Sequence, residues 1–142
     1  MKLFKIFTCL FLTLGFVGCS VSECKPEIGR ALPGTNTAVV GVFLDKDGIP
    51  KETVKEVIVH PGQNVLYAGP DEFKIVFKNR KTPNRVVSNP SKDGVVLIKI
   101  PQDIFERKEF VEEFRKNKSL VFDYSIWVNG KEYDPPIRVV PL

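Results

Sequence analysis

From Thr37 to Val140, apolar residues recur mostly at every second position, the spacing that gives a strand one dry and one wet face. Thr37 to Leu44 (TAVVGVFL) is β-branched and apolar, and Asp45-Lys46-Asp47-Gly48 ends it with turn residues. Val54 to Val59 alternates, His60-Pro61-Gly62-Gln63-Asn64 interrupts, and Val65-Leu66-Tyr67 resumes before the turn Ala68-Gly69-Pro70-Asp71. Phe73, Ile75 and Phe77 keep period two with Lys74 and Lys78 beside them, and Val95 to Ile100 is a further strand opened by Asp93-Gly94. In Val121 to Val128, Phe122, Tyr124, Ile126 and Val128 face one way and Asp123, Ser125 and Trp127 the other; Asn129-Gly130 then predicts a tight hairpin. The return strand, Glu132 to Val140, contains Pro135 and Pro136, which cannot donate to a ladder, so an edge or a bulge falls there.

Helical spacing occurs once. Asp103 to about Lys116 follows Pro101 without Gly or Pro, and Arg115, Lys116 and Lys118 at its end suit the helix dipole. Ile104, Val111 and Phe114, flanked by Phe105 and Phe110, form its apolar stripe, while Asp103 with Arg107 and Glu112 with Lys116 are i,i+4 ion pairs. About seven short strands and one helix predict a mainly β fold, a β-sandwich over residues 37–142.

The amino terminus follows a different pattern. Lys2 and Lys5 precede an apolar run from Ile6 to Val17, and Gly18 supplies the small residue that export cleavage needs. Such a run spans roughly 18 Å as a helix, against about 30 Å of hydrocarbon, so it reads as a signal sequence and not a membrane span. Phe16-Val17-Gly18-Cys19 resembles the lipobox of bacterial lipoproteins, with Phe where Leu is usual. The resemblance implies that residues 1–18 are removed with Cys9, and that Cys19 becomes the lipidated first residue and the link to a membrane. Ser20 is similar to the second residue of lipoproteins sent to the outer membrane, which implies a cell-envelope location facing the periplasm. The alternative is an ordinary secretory signal with Cys19 and Cys24 paired; if Cys19 is lipidated, Cys24 is a lone thiol.

Charge narrows the partners. The chain has 21 basic and 17 acidic residues; without Lys2 and Lys5 the balance is 19 against 17, or +2, too small to argue for nucleic acid. Residues 19–36, rich in Pro and Gly, read as a flexible tether with a reach of roughly 20 to 25 Å.

The order of His60-Pro61-Gly62-Gln63, the strand ending near Tyr67, the Phe73-x-Ile75-x-Phe77 strand and the closing Tyr124-x-Ile126 to Asp134-Pro135-x-Ile137-x-Val139 hairpin is similar to cupredoxin-like sandwiches, with an immunoglobulin-like one as the neighbouring possibility. A blue-copper centre takes two His, a Cys and a weak axial ligand. Here His60 is the only histidine, Met1 the only methionine, and no cysteine follows Cys24, so the resemblance carries over no metal ligands and no cofactor. No Gly-x-Ser-x-Gly, Walker-type or His-Glu-x-x-His motif occurs, and Asp45-x-Asp47-Gly48 lacks the first and twelfth ligands of a calcium loop. Asp71 and Glu72 are adjacent and point apart, so they make no carboxylate pair.

Two surfaces remain. Lys78, Arg80, Lys81 and Arg85 lie in one acid-free segment, able to meet anionic headgroups, polysaccharide or an acidic protein, or to stand simply as a solvated loop. Trp127 and Tyr133 suggest an aromatic patch for a partner or a sugar ring. The expected function is a membrane-anchored, non-catalytic binding or scaffolding module. The alternatives are a small envelope enzyme or metal carrier using His60, and an adaptor in a secretion or surface assembly.

Overall fold

The computed structural model describes residues 28–142. The expected signal sequence, Cys19, Cys24 and the first part of the expected tether lie outside the described residues. Eleven strands form two mixed sheets: β1 (Ile28–Gly29), β2 (Thr37–Leu44), β3 (Pro50–Glu52), β4 (Glu56–Val59), β5 (Asn64–Ala68), β6 (Lys74–Phe77), β7 (Ser88–Pro90), β8 (Val95–Lys99), β9 (Leu120–Val128), β10 (Lys131–Tyr133) and β11 (Pro136–Val139). The larger sheet runs β1-β4-β11-β9-β6-β7 with β10 also on β9, and the smaller runs β3-β2-β5-β8. This is the expected β-sandwich; beyond seven strands of four residues or more it adds the short β1, β3, β7 and β10.

Alternation decides what lies between the sheets. Ala38, Val40, Val42, Val65, Tyr67, Val96 and Ile98 from the smaller sheet meet Val57, Val59, Ile75, Phe77, Phe122, Tyr124, Ile126, Ile137 and Val139 from the larger. Phe122 takes edge-on contacts from Phe77 at 6.4 Å and from Phe110 at 5.3 Å between centroids. Full burial of each such aromatic stabilises by about 2 to 3 kcal/mol.

The β9–β10 hairpin turns through Asn129 (φ 50°) and Gly130 (φ 76°), both left-handed as a type I′ turn requires. The return strand is broken at Asp134-Pro135, between β10 and β11. On the far side of this break β11 pairs with β4 in parallel and with β9 antiparallel.

Two expectations are corrected. The segment 103–116 is not one helix: a 3₁₀ turn at Ile104–Glu106 and an α-helix, α1, at Val111–Asn117 are separated by extended backbone at Arg107. At about 100° per residue a continuous helix would set Ile104 and Phe110 about 120° apart. The break lets both enter the core, which α1 itself does not, and stacks Phe105 on Phe114 at 3.9 Å. Arg107 keeps its ion pair to Asp103 at 3.3 Å, but Glu112 pairs with Arg115 and not with Lys116. The tether also ends sooner than expected: Ile28 and Gly29 pair with β4, and Ala31 bridges to Ala38 on β2.

Candidate binding site

The basic segment is a built loop. After β6 the backbone takes left-handed turns at Asn79 (φ 55°) and Arg80 (φ 55°), and again at Arg85 (φ 65°), conformations that cost a non-glycine residue about 1 kcal/mol each. Lys78 Nζ lies 2.6 Å from Asp134 Oδ2, and Asp134 also accepts from the Ser125 hydroxyl at 2.7 Å. Both donors hold the Asp134 carboxyl below its usual range, the lysine contributing most, and the same contact raises the Lys78 ammonium. Lys81 Nζ donates to Glu113 at 2.7 Å and to the Val121 carbonyl at 2.5 Å, over the Phe122 ring at 5.2 Å. Inside the loop, Thr82 and Asn84 close a network on the Val86 carbonyl, and Arg107 donates to the Pro83 carbonyl at 3.0 Å.

Of the four cations read from the sequence, Lys78 and Lys81 are therefore anchors. Arg80 and Arg85 are exposed and form no ion pair among the described residues. Both line one hollow of about 390 Å³, with Lys81, Val87, Glu109 and Phe110 on its walls. Val86 and Val87 are exposed beside Arg85, so the loop offers two guanidinium groups next to apolar surface. Guanidinium donors in a fixed fork fit carboxylate, phosphate or sulfate oxygens.

Trp127 and Tyr133 do not form one patch. The tight turn pairs Val128 with Lys131, so Tyr133 stands opposite Ile126 on the core side, and Trp127 stands opposite Glu132 and Lys74 on the outer side. Tyr133 packs against the core, with Lys51 Nζ 4.9 Å over its ring. Trp127 lines an open groove of about 600 Å³ with Phe73, Lys74, Pro90, Ser91 and Asn129, and Lys74 Nζ lies 5.6 Å over its ring. The Ser91 hydroxyl fixes the groove's edge by accepting from the Phe73 N–H at 2.9 Å and donating to the Asp71 carbonyl at 3.1 Å.

His60 Nδ1 is 3.0 Å from the Val140 carbonyl oxygen; because that oxygen only accepts, Nδ1 carries the proton. Its hollow, about 180 Å³, is lined by Asn36, Pro61, Gly62, Gln63, Gln102 and Leu142, and holds no carboxylate side chain to orient or polarise the ring. No group of three His, Cys, Asp or Glu positioned to hold a metal occurs among the described residues.

The polar group that sequence reasoning missed is Glu52, 1% exposed, whose carboxylate accepts from the Tyr124 hydroxyl. Tyr67 packs edge-on against Tyr124 at 5.6 Å. Burial first pushes both phenols well above their ordinary value; the nearby Glu52 charge adds to it at Tyr67, and Tyr67 followed by Glu52 adds to it at Tyr124. The cluster is closed to solvent and joins the two sheets.

No protein-family model matches the chain, and no curated protein is significantly similar to it.

Proposed function

We propose that this chain is a lipid-anchored protein of a bacterial cell envelope whose β-sandwich binds or scaffolds an anionic partner without catalysing a reaction. The observation that carries the binding reading is the pairing of Arg80 and Arg85 on one hollow, in a loop pinned by Lys78 to Asp134 and by Lys81 to Glu113. A loop fixed before binding loses less conformational entropy when it binds, which favours affinity. The lipobox-like Phe16-Val17-Gly18-Cys19 after an apolar run supports the anchor, and Ser20 supports delivery to the outer membrane. The parallel pairing of β2 with β5 and of β4 with β11 favours the cupredoxin-like resemblance over the all-antiparallel immunoglobulin-like one. An acidic envelope protein or an anionic polysaccharide has the matching chemistry.

The test is crosslinking and capture of the full-length protein from envelopes, beside an Arg80→Glu/Arg85→Glu variant. The expected result is a component enriched with the native chain and lost with the variant, at unchanged thermal midpoint. An unchanged set of captured components removes the loop from the account. The enzyme or metal-carrier alternative has its own discriminator: stoichiometric tight metal binding, or an activity abolished by His60→Ala, would replace the binding module.

A further inference from the structure

The two outer faces of the sandwich differ in kind. The larger sheet turns outward the Arg138–Glu56 ion pair at 2.8 Å, and Lys78 pairs with Asp134 in the segments that flank its strands. The smaller sheet turns outward a registered apolar lattice. Val39 of β2 pairs with Leu66 of β5, and Leu66 with Leu97 of β8; the next row is Gly41, Ala68 and Val95. Val39 is 46% exposed, Leu97 45% and Val95 39%, in strands whose alternate residues are buried. Leu32, 51% exposed, extends the lattice from the segment that bridges β2 through Ala31.

The rim of this face carries three cations at its registered edges, with Asp93 beside Lys92 in the turn. Arg30 flanks the Ala31 bridge, Lys99 pairs with Asn64, and Lys92 stands opposite Val95; all three are exposed and form no ion pair among the described residues. The registered positions of the face hold no acid, and Asp45 and Asp93 stand in the turns beyond its ends. An apolar centre with a cationic rim is the composition that inserts shallowly at an anionic bilayer, where apolar burial and electrostatic attraction add. A second copy would bring the same cations face to face.

The point of chain entry agrees. Residues before Ile28 reach the fold through β1, two residues from the Ala31 bridge on the edge of this sheet. Cys19 precedes Ile28 by nine residues, an extended reach of about 30 Å. A lipid on Cys19 would hold this edge within that distance of a bilayer. We propose that the outer face of the four-stranded sheet, centred on Val39, Leu66 and Leu97 and rimmed by Arg30, Lys92 and Lys99, lies against an anionic phospholipid surface. The lipid on Cys19 assists this docking by proximity but is not part of the face.

The experiment mixes the full-length protein with vesicles carrying a photoactivatable diazirine lipid, made of phosphatidylglycerol and phosphatidylcholine or of phosphatidylcholine alone. Label is expected on peptides containing Val39 and Leu97, at least fivefold above peptides from residues 131–139, and only on the anionic vesicles. Each reversed rim charge in Arg30→Glu, Lys92→Glu and Lys99→Glu should lower labelling on the order of fivefold. Val39→Ser/Leu97→Ser should abolish the face label at an unchanged circular-dichroism spectrum. Equal label on both faces, equal label on neutral vesicles, or a dimer in sedimentation that hides the face without vesicles overturns the proposal. Acyl mass at Cys19, read from the same sample, keeps the anchor separate: an unacylated chain labelled on this face fails the anchor alone, and an acylated chain without label fails the face alone.

Discussion

The hydroxyl of Tyr124, on β9 of the larger sheet, donates to the buried carboxylate of Glu52, on β3 of the smaller one. This is a buried polar link between two layers joined mainly by apolar packing, and a hydrogen bond to a charged group contributes about 1.5 to 3 kcal/mol. Tyr124→Phe keeps the ring and removes the donor. The expected result in urea is a loss of stability of about that size with an unchanged slope; a loss under about 0.5 kcal/mol would show that the link contributes little.

Alkaline pH should weaken the fold. Tyr67 and Tyr124 are held well above their ordinary value in the folded state, so the unfolded chain releases these protons first. Their contribution is fully present below about pH 10 and is lost as pH rises beyond it, by up to about 1.4 kcal/mol per pH unit for each phenol. Stability measured between pH 9 and pH 11 should fall less steeply for Tyr67→Phe than for the native chain; identical slopes would contradict this placement of the proton.

The acid limb carries a smaller effect. The Asp134 carboxyl is lowered by Lys78 and then by Ser125, so its contribution is present above the unfolded value near 4 and is lost as pH falls through the folded one. Because both side chains of the ion pair are well exposed, at 39% and 46%, the contribution is held below about 1 kcal/mol. Asp134→Asn should flatten stability between pH 5 and pH 3 by that amount, read from thermal midpoints.

Lys81 tests how the basic loop is held. It joins the loop to Glu113 and to the Val121 carbonyl while covering Phe122. Lys81→Ala should cost about 1 kcal/mol in stability and speed amide exchange in residues 78–87 more than in β9. If exchange in the loop is unchanged, Lys81 is not what orders it.

Much of the fold was legible because most of its strands bury alternate residues. Lys74–Phe77 and Leu120–Val128 announce a face by period two, and Asn129-Gly130 fixes a turn that few residue pairs form. Thr37–Leu44 and Val95–Lys99 read as strands by their apolar, β-branched runs, while the buried face stays hidden because both faces carry apolar residues. β3 was not legible: Pro50-Lys51-Glu52 has the composition of a loop, and only the opposite sheet shows that Glu52 turns inward to Tyr124. The helix break at Arg107 was hidden because the apolar spacing of 104–114 suits a continuous helix, and only the joint burial of Ile104 and Phe110 forbids one.

For the site, the separation of Trp127 from Tyr133 could have been read from the turn. A two-residue loop pairs Val128 with Lys131, and counting two steps back sets Tyr133 beside Ile126. The division of the basic segment into anchors and exposed arginines could not, because Asp134 and Glu113 are distant in sequence from Lys78 and Lys81.

The proposal that the domain works from a membrane anchor is tested most directly by intact-mass and peptide mass spectrometry of the chain purified from bacterial membranes. The expected product is a mature chain that begins at Cys19, carries diacylglyceryl and N-acyl mass on that residue, and leaves Cys24 outside any disulfide with it. A secreted chain with an intact Cys19–Cys24 disulfide, or a mature terminus beyond Cys19, would contradict it.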